Sequence, residues 1–526
     1  MSAPISILHE DILWRIFMEN VEFPDELAPW GSNVIQPIVT ARHCSQVCQR
    51  WRYTLLSSSS IWAKMIDLES LGQARIEWKE EVVSRAGEAL MWIYGRIRQR
   101  NTLYFFLPLL QRKWARIQAL SIWEYAGEIH MEERQKIWDC LKGPVPHLRR
   151  IHIELSDSRT AVPYPLFGDH APLLRELHII SQAYKFPCPA SWTRNLFAVT
   201  FSKAYMIKEV LDALKYMPQL VQLEIVMEDE TFNRADASRI HLPHLKILQL
   251  DGNWHSNAVL LKSITPSQDC CLSISVDRIP SYYGLDVESF QEYETAAMKY
   301  IVPYFSLHRP SVLNLLFRAT NFVVFEDGAP TDARCFYIPI SAERAAHFPY
   351  TSAILTTLIK DGSFTHLKEL KLGLWYDFTW LGSPGPAIGT LLGLSSINIF
   401  SSITTLTTLD SVLEHLLREE FYSYAFLPNL TILRVVPACL NEVQAPNADG
   451  PAYHRFVRNR KALGPPITVL EIHLETLHDV DYLEEHSGLF VRCFYFGRDL
   501  GEYRCGDGRP EKLRFGTMKK EGLLPT

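Results

Sequence analysis

The apolar positions of this chain recur with two spacings, and the change from one to the other divides its length. Near the start they fall at Leu8, Ile12, Leu13, Ile16 and Phe17, one stripe of a helix, with Ser6 placed as its N-cap. After an insert marked by Pro24, Pro29, Gly31 and Pro37, a second helical stripe runs through Cys44, Val47, Cys48, Trp51 and Leu55. Ser57 to Ser60 interrupt it before Ile61-Trp62 and the strand-like Met65-Ile66-Asp67-Leu68. Three short helical pieces with this aromatic content cannot bury both faces within so few residues, so a partner surface is expected there.

From about residue 111 the pattern becomes an apolar residue at p, p+3 and p+5. It appears as Ile117/Leu120/Ile122, Leu148/Ile151/Ile153, Leu174/Leu177/Ile179, Leu196/Val199/Phe201, Leu220/Leu223/Ile225 and Leu245/Leu248/Leu250. Later copies are Val312/Leu315/Phe317, Leu367/Leu370/Leu372, Leu394/Ile397/Ile399, Leu430/Leu433/Val435 and Ile467/Leu470/Ile472. The first residues step by 26, 22, 24 and 25 from Leu148 to Leu245, and the steps then become irregular, which predicts insertions or lost repeats between about 255 and 365. On a strand, residues two apart share a face, so p+3 and p+5 point inward together while p closes the turn before them. Helical stripes such as Met206, Val210, Leu211, Leu214 and Met217, or Leu409, Val412, Leu413, Leu416 and Leu417, cover the other side. The expected fold class is mixed α/β, one strand and one helix per unit, each unit burying its face only against its neighbours.

Both regions carry a family resemblance. The order Ile7-Leu8-His9-Glu10-Asp11-Ile12-Leu13…Ile16-Phe17, then Cys44-Ser45-Gln46-Val47-Cys48-Gln49-Arg50-Trp51-Arg52, then Leu55-Leu56…Ile61-Trp62, resembles an F-box. The resemblance implies a three-helix module that docks onto the Skp-family adaptor of a cullin–RING ubiquitin ligase. The residues it assigns to adaptor binding are Leu8, Ile12, Leu13, Ile16, Phe17, Val47, Trp51, Leu55, Leu56 and Trp62. His9 stands where the family has proline, and the link from Met18 to Ala41 is longer than usual. The triplets and their spacing resemble degenerate leucine-rich repeats. That family usually has Asn or Cys at p+8; here Asn253 fills the place, and Ser156, Gln182, Glu228, Trp375 and Ala438 fill it elsewhere, so an irregular solenoid is expected. A closed α/β barrel is the rival, and the proline shortly before p at Pro146, Pro243 and Pro428 favours the solenoid. The expected organisation is an F-box-like helical domain over 1–70 with an insert at 18–41, a helical linker over 71–110, a leucine-rich-repeat solenoid over 111–482, and a C-terminal cap and tail over 483–526 that frays after about Gly516.

Composition narrows the function classes. The chain has 526 residues, 47% of them hydrophobic, and 53 Lys+Arg against 59 Asp+Glu give a net charge of −6. That balance leaves no electrostatic footprint for nucleic acid. The longest strongly apolar run, Leu103 to Leu110, is far below the ~20 residues that span a bilayer, and the uncharged stretch Phe378–Leu409 is broken by Pro384 and Pro386. No secretory leader is read in the first thirty residues, where Glu10, Asp11 and Arg15 interrupt the apolar positions. An intracellular location, cytoplasmic or nuclear, is expected, with the ten cysteines reduced.

The search for chemistry returns no catalytic set. The glycines from Gly382 to Gly389 lack the lysine of a phosphate loop. No Gly-x-Ser-x-Gly elbow and no His-Glu-x-x-His occur. Cys44 and Cys48 beside His43 lack a second ligand pair and read as small hydrophobes, as do Cys270 and Cys271. The acidic runs Glu228-Asp229-Glu230 and Glu419-Glu420 read as solvated edges, and His147, His244 and His366 recur at p−1 as a turn preference. The basic runs Arg96-Ile97-Arg98-Gln99-Arg100 with Arg112-Lys113, and Arg458-Asn459-Arg460-Lys461, suit partner steering or nuclear import, and the first reads best as a solvated helix face. The expectation is therefore a non-catalytic adaptor, without cofactor or metal. The F-box resemblance implies the substrate-recognition subunit of a Skp/cullin/F-box ubiquitin ligase, with an unidentified protein substrate held by the repeats. The alternative is an interaction scaffold outside any ligase, its N-terminal helices capping the solenoid.

Overall fold

Helix α1 (Glu10–Glu19) starts at His9, whose ring nitrogen Nδ1 accepts the Asp11 N–H at 3.4 Å. Ser6, expected as the cap, lies outside the residues described by the computed structural model. Those are 8–21, 37–124, 129–155, 166–180, 185–227, 239–275, 287–317, 321–326, 338–341, 354, 357–358, 365–374, 400–418, 427–436, 450–474, 476–496 and 498–520. Most of the expected insert, the glycines from Gly382, both acidic runs and the p+8 residues other than Asn253 also lie outside them. Helices α2 (Pro37–Cys44), α3 (Gln49–Ser57) and α4 (Ser59–Lys64) follow. Phe17 of α1 meets Trp51 of α3 edge to face with ring centroids 5.2 Å apart.

The chain divides into two compact units, Met1–Cys270 with Val276–Tyr293 and Ala329–Arg334, and Cys271–Ser275 with Glu294–Gly328 and Cys335–Thr526. The helical head belongs to the first. Directly after α4, strand β1 (Ile66–Asp67) leads into α5 (Leu68–Gly72), α6 (Ile76–Ala86), β2 (Met91–Ile97) and α7 (Arg100–Lys113). The stretch expected as a helical linker thus holds a strand between helices, because Met91-Trp92-Ile93-Tyr94 is rich in aromatic and β-branched side chains. The triplet pattern missed it because Gly95 stands where a second inward apolar residue belongs, paired with Ile122. A side chain is strained there: φ is +125°, and a Cβ would lie 3.0–3.1 Å from Asp67 Oδ1 and the Leu68 and Glu69 nitrogens.

The repeat itself becomes one parallel sheet. After β3 (Ile117–Glu124) and α8 (Met131–Cys140) come β4 (Arg150–Glu154), β5 (Glu176–Ile180), β6 (Ala198–Phe201), α9 (Ile207–Leu214), β7 (Gln222–Val226), β8 (Ile240–His241), β9 (Ile247–Asp251), α10 (Trp254–Ser263) and β10 (Ile264–Thr265). Strands β1 to β7 and then β9 lie side by side in chain order, while β8 pairs with β10 in a small separate sheet. The p residues do what their spacing implies. The N–H groups of Leu148, Leu174, Leu196, Leu220 and Leu245 each donate to the carbonyl three residues back, at 3.1–3.4 Å. The p+3 residues then align in one row, Ile93, Leu120, Ile151, Leu177, Val199, Leu223 and Leu248, all buried. Each contributes about 1.5–3 kcal/mol by leaving water. At p+5, Ile122, Ile153 and Ile179 line up, as do Phe201, Ile225 and Leu250. Asn253 caps α10, its side-chain oxygen accepting the Ser256 N–H at 2.7 Å.

In the second unit β11 (Cys271–Ser275) is followed by α11 (Val287–Leu307), which crosses the division. Strands β12 (Val312–Phe317), β13 (Asn321–Glu326), β14 (Ile338–Ser341), β15 (Glu369–Leu374), β16 (Thr405–Leu409), β17 (Ile432–Val436), β18 (Val469–Leu474), β19 (Phe490–Tyr495) and β20 (Arg498–Arg504) form its sheet. Its order is β14-β13-β12-β15-β16-β17-β18-β19-β20; β12 to β19 run parallel in that order, and antiparallel strands close both ends. The inward rows are Leu313, Leu370, Leu406, Leu433, Leu470 and Val491, and Leu315, Leu372, Thr408, Val435, Ile472 and Cys493. β12 therefore aligns two residues earlier than Val312/Leu315/Phe317 implies. The Ile403/Leu406/Thr408 unit was unread because a buried threonine fills its last place, while Leu394/Ile397/Ile399 lies outside the described residues. Helices α12 (Asp410–Arg418), α13 (Ala452–Leu463) and α14 (Phe515–Lys520) complete the unit. The Asp410 carboxylate accepts the Ala452 and Tyr453 N–H groups at 3.1 and 2.8 Å, capping α13 from the preceding strand–helix unit. Beyond Gly516, where fraying was expected, α14 is pinned by Asp479, which accepts the Thr517 N–H at 3.0 Å. The fold is mixed α/β with parallel sheets, and neither sheet closes into a barrel among the described residues, which sets the barrel alternative aside.

Candidate functional site

The head separates its apolar residues into two populations. Leu13 and Phe17 of α1, Leu55 of α3 and Trp62 of α4 are buried, and Leu8 and Trp51 are half-buried. Ile12 and Ile16 are 47% and 45% exposed, Val47 61%, Leu56 40% and Tyr53 70%. Ile12 and Ile16 sit one turn apart on α1, and Tyr53 and Leu56 one turn apart on α3, so each helix offers a short apolar ridge. Val47 stands in the turn between α2 and α3. Of the ten residues assigned to docking, four are therefore presented to solvent, and four serve the interior. Tyr53 is an exposed neighbour that the resemblance did not assign.

Trp62 shows why burial matters to the assignment. Its indole N–H donates to the Leu55 carbonyl at 2.8 Å, its ring meets Trp78 of α6 edge to face, and the Arg85 guanidinium lies 4.9 Å above it. Those contacts are spent inside the chain, joining α3 and α4 to α6. Other ties hold the ridge-bearing elements. Trp14 donates to Ser60 Oγ at 3.3 Å, Arg50 donates to the Leu8 carbonyl, and Arg52 donates to the Ser45 carbonyl at 3.0 Å. Cys48 is exposed at the start of α3 rather than packed as a small hydrophobe; Cys270 and Cys271 are buried as read.

The outward rows of the two sheets differ in chemistry. On the first, the ring of His152 lies between those of Trp123 and His178, at 5.0 and 5.7 Å. His178 Nδ1 is 2.7 Å from Thr200 Oγ1, which donates to Glu224 at 2.7 Å. On the second, Arg434 bridges Glu369 and Glu471 at 3.0 and 2.6 Å, and Arg492 reaches Glu471 and Glu502 at 3.6 and 3.5 Å. One row is a hydrogen-bonded ladder of imidazole, hydroxyl and carboxylate, and the other an ion-pair network. His147, His244 and His366 are exposed on their turns.

The basic runs are partly structural. Arg98 pairs with Glu69 at 3.0 Å, and buried Arg460 donates to the Leu427 carbonyl at 2.9 Å. Buried thiols are held protonated: desolvation first, then the charges beside them, push Cys493 and Cys505 up to about 12. Such a thiol is a poor nucleophile. Compared with protein-family models and with curated proteins, the sequence matches none. Among the described residues, no helix is long and apolar enough to cross a membrane.

Proposed function

We propose that this chain is a non-catalytic, F-box-type adaptor that docks onto a Skp-family subunit of a cullin–RING ubiquitin ligase and holds a protein substrate on leucine-rich-repeat-like sheets. The observation that carries the reading is the set of solvent-facing apolar side chains on α1, the α2–α3 turn and α3. Ile12, Ile16, Val47, Tyr53 and Leu56 have no inward role, and exposed apolar groups concentrated in one small module mark an interaction surface. The buried members, Leu13, Phe17, Leu55 and Trp62, support that surface by fixing the helices that carry it. The aligned inward rows support the repeat reading of both sheets, and the partly exposed ion-pair row of the second suits a protein substrate.

The test is copurification with the Skp-family adaptor. Wild type should capture it, and Ile16→Asp with Val47→Asp should lose it while keeping the wild-type melting temperature within a few degrees. Capture that survives the double variant counts against this surface.

One observation favours the scaffold reading. β1 pairs in register with β2, Ile66 with Ile93 and Asp67 with Tyr94, so the end of the head is the first rung of the sheet. Deleting residues 1–70 would strip that rung under either reading and so cannot separate them. Surface charges can, because a cap needs no outward apolar ridge. If wild type captures no adaptor in a direct binding assay, the scaffold reading takes precedence.

A further inference from the structure

We infer that His454, Glu485 and His486 form a binding site for one divalent transition-metal ion of the zinc class. No ligand spacing in the sequence marks it, since the residues lie 31 positions apart and come together through successive units of the second sheet. His454 stands in the first turn of α13, which Asp410 holds by its backbone N–H groups. Glu485 ends the short turn Asp481–Glu485, and His486 follows it.

One candidate ligand atom from each side chain lies within 4.8 Å of the other two. His454 Nε2 is 2.8 Å from Glu485 Oε1, and His486 Nε2 is 3.5 Å from the same oxygen. Two ligand atoms each about 2 Å from a tetrahedral zinc lie roughly 3.3 Å apart, so small side-chain rotations suffice. A second observation points to a missing ligand. His486 is only 5% exposed, and its Nε2 has no hydrogen-bond partner among the described residues. A buried imidazole nitrogen left unmade costs about 1–3 kcal/mol unless something else fills the place.

The donor set, two imidazoles and one carboxylate with further positions left to solvent, matches zinc-class preferences rather than those of magnesium or calcium. Access is open through Glu485, which is half exposed. Arg458 donates to Glu485 Oε1 at 2.7 Å from an exposed position on α13. Its guanidinium sits on the oxygen the ion needs, so it competes with the ion and must swing into solvent when the ion binds.

The test is titration of the full-length chain, stripped by chelator, with Co²⁺, read by visible absorption and followed by Zn²⁺ competition. Wild type should bind one equivalent, with Zn²⁺ displacing it. His454→Gln and His486→Gln should each lose more than the roughly 10-fold that a change in an outer-shell partner already costs, and Arg458→Ala should bind more tightly than wild type. Absence of binding to folded wild type overturns the site, as does affinity unchanged in the double histidine variant. Should a histidine variant fail to fold, Arg458→Ala decides: tighter binding supports the site, and unchanged or weaker binding overturns it.

Discussion

Helix α1 and strand β7 both carry apolar side chains at regular spacing and dispose of them differently. In β7, Leu223 and Ile225 sit between matching residues of β6 and β9 and are wholly buried. In α1, Leu13 and Phe17 are buried while Ile12 and Ile16 remain in solvent. A repeat consumes its apolar faces in its own neighbours, because each strand meets the next at the same height. A helical head has no such succession, and what it cannot bury against α3 and α4 it presents outward. The head thus leaves a larger share of its apolar stripe in solvent than β7 does.

The contrast can be broken at its strongest point. Trp62→Ala should lower stability by about 3–5 kcal/mol, read as a shift in the urea midpoint of the first unit, because it empties the joint between α3, α4 and α6. An unchanged midpoint would move Trp62 from the interior to the surface population. Leu223→Ala should cost about 2–5 kcal/mol by the same measurement. A loss well below that range would mean that the neighbouring units collapse into the space and that the sheet is less tightly packed than its rows imply. Gly95→Ala should cost about 1–3 kcal/mol, since a left-handed backbone and the approach of α5 oppose it together; a neutral result in thermal unfolding would contradict the close approach. Asn253→Ala removes a helix cap and should cost about 1 kcal/mol, measured as a small drop in melting temperature. Ile12→Asp with Ile16→Asp should change stability least, within about 0.5 kcal/mol. A larger loss in calorimetry would show that these side chains are buried after all and that the head resembles the repeat.

The triplet spacing made the strand rows legible because an inward pair two residues apart is a local property. It failed where the inward place is filled by Thr408 or Gly95, neither of which reads as apolar, and at β12, where the alternating Leu313, Leu315 and Phe317 allow two registers two residues apart. The helical stripes of the head were legible too, but periodicity marks a stripe without saying which edge is covered. Only packing against Trp51 and the rest of the head interior separates Phe17 from Ile16. The cluster of His454, Glu485 and His486 carried no local signal, since the return of the chain by one unit brings it together. Cys48 likewise read as part of a helical stripe, and became the exposed residue before α3.

The chain-order succession of strands in the first sheet also sets how that sheet is built. Each strand from β4 to β9 waits for a neighbour only about 25 residues along the chain, so no distant segment must return to complete a row. Loop closure is short at every step, and contacts form between segments that are close in sequence. Such a sheet can be laid down progressively as the chain emerges during synthesis, each new strand finding its template already formed. The head precedes the triplets along the chain, so β1 can offer an edge to β2 before any of them is made.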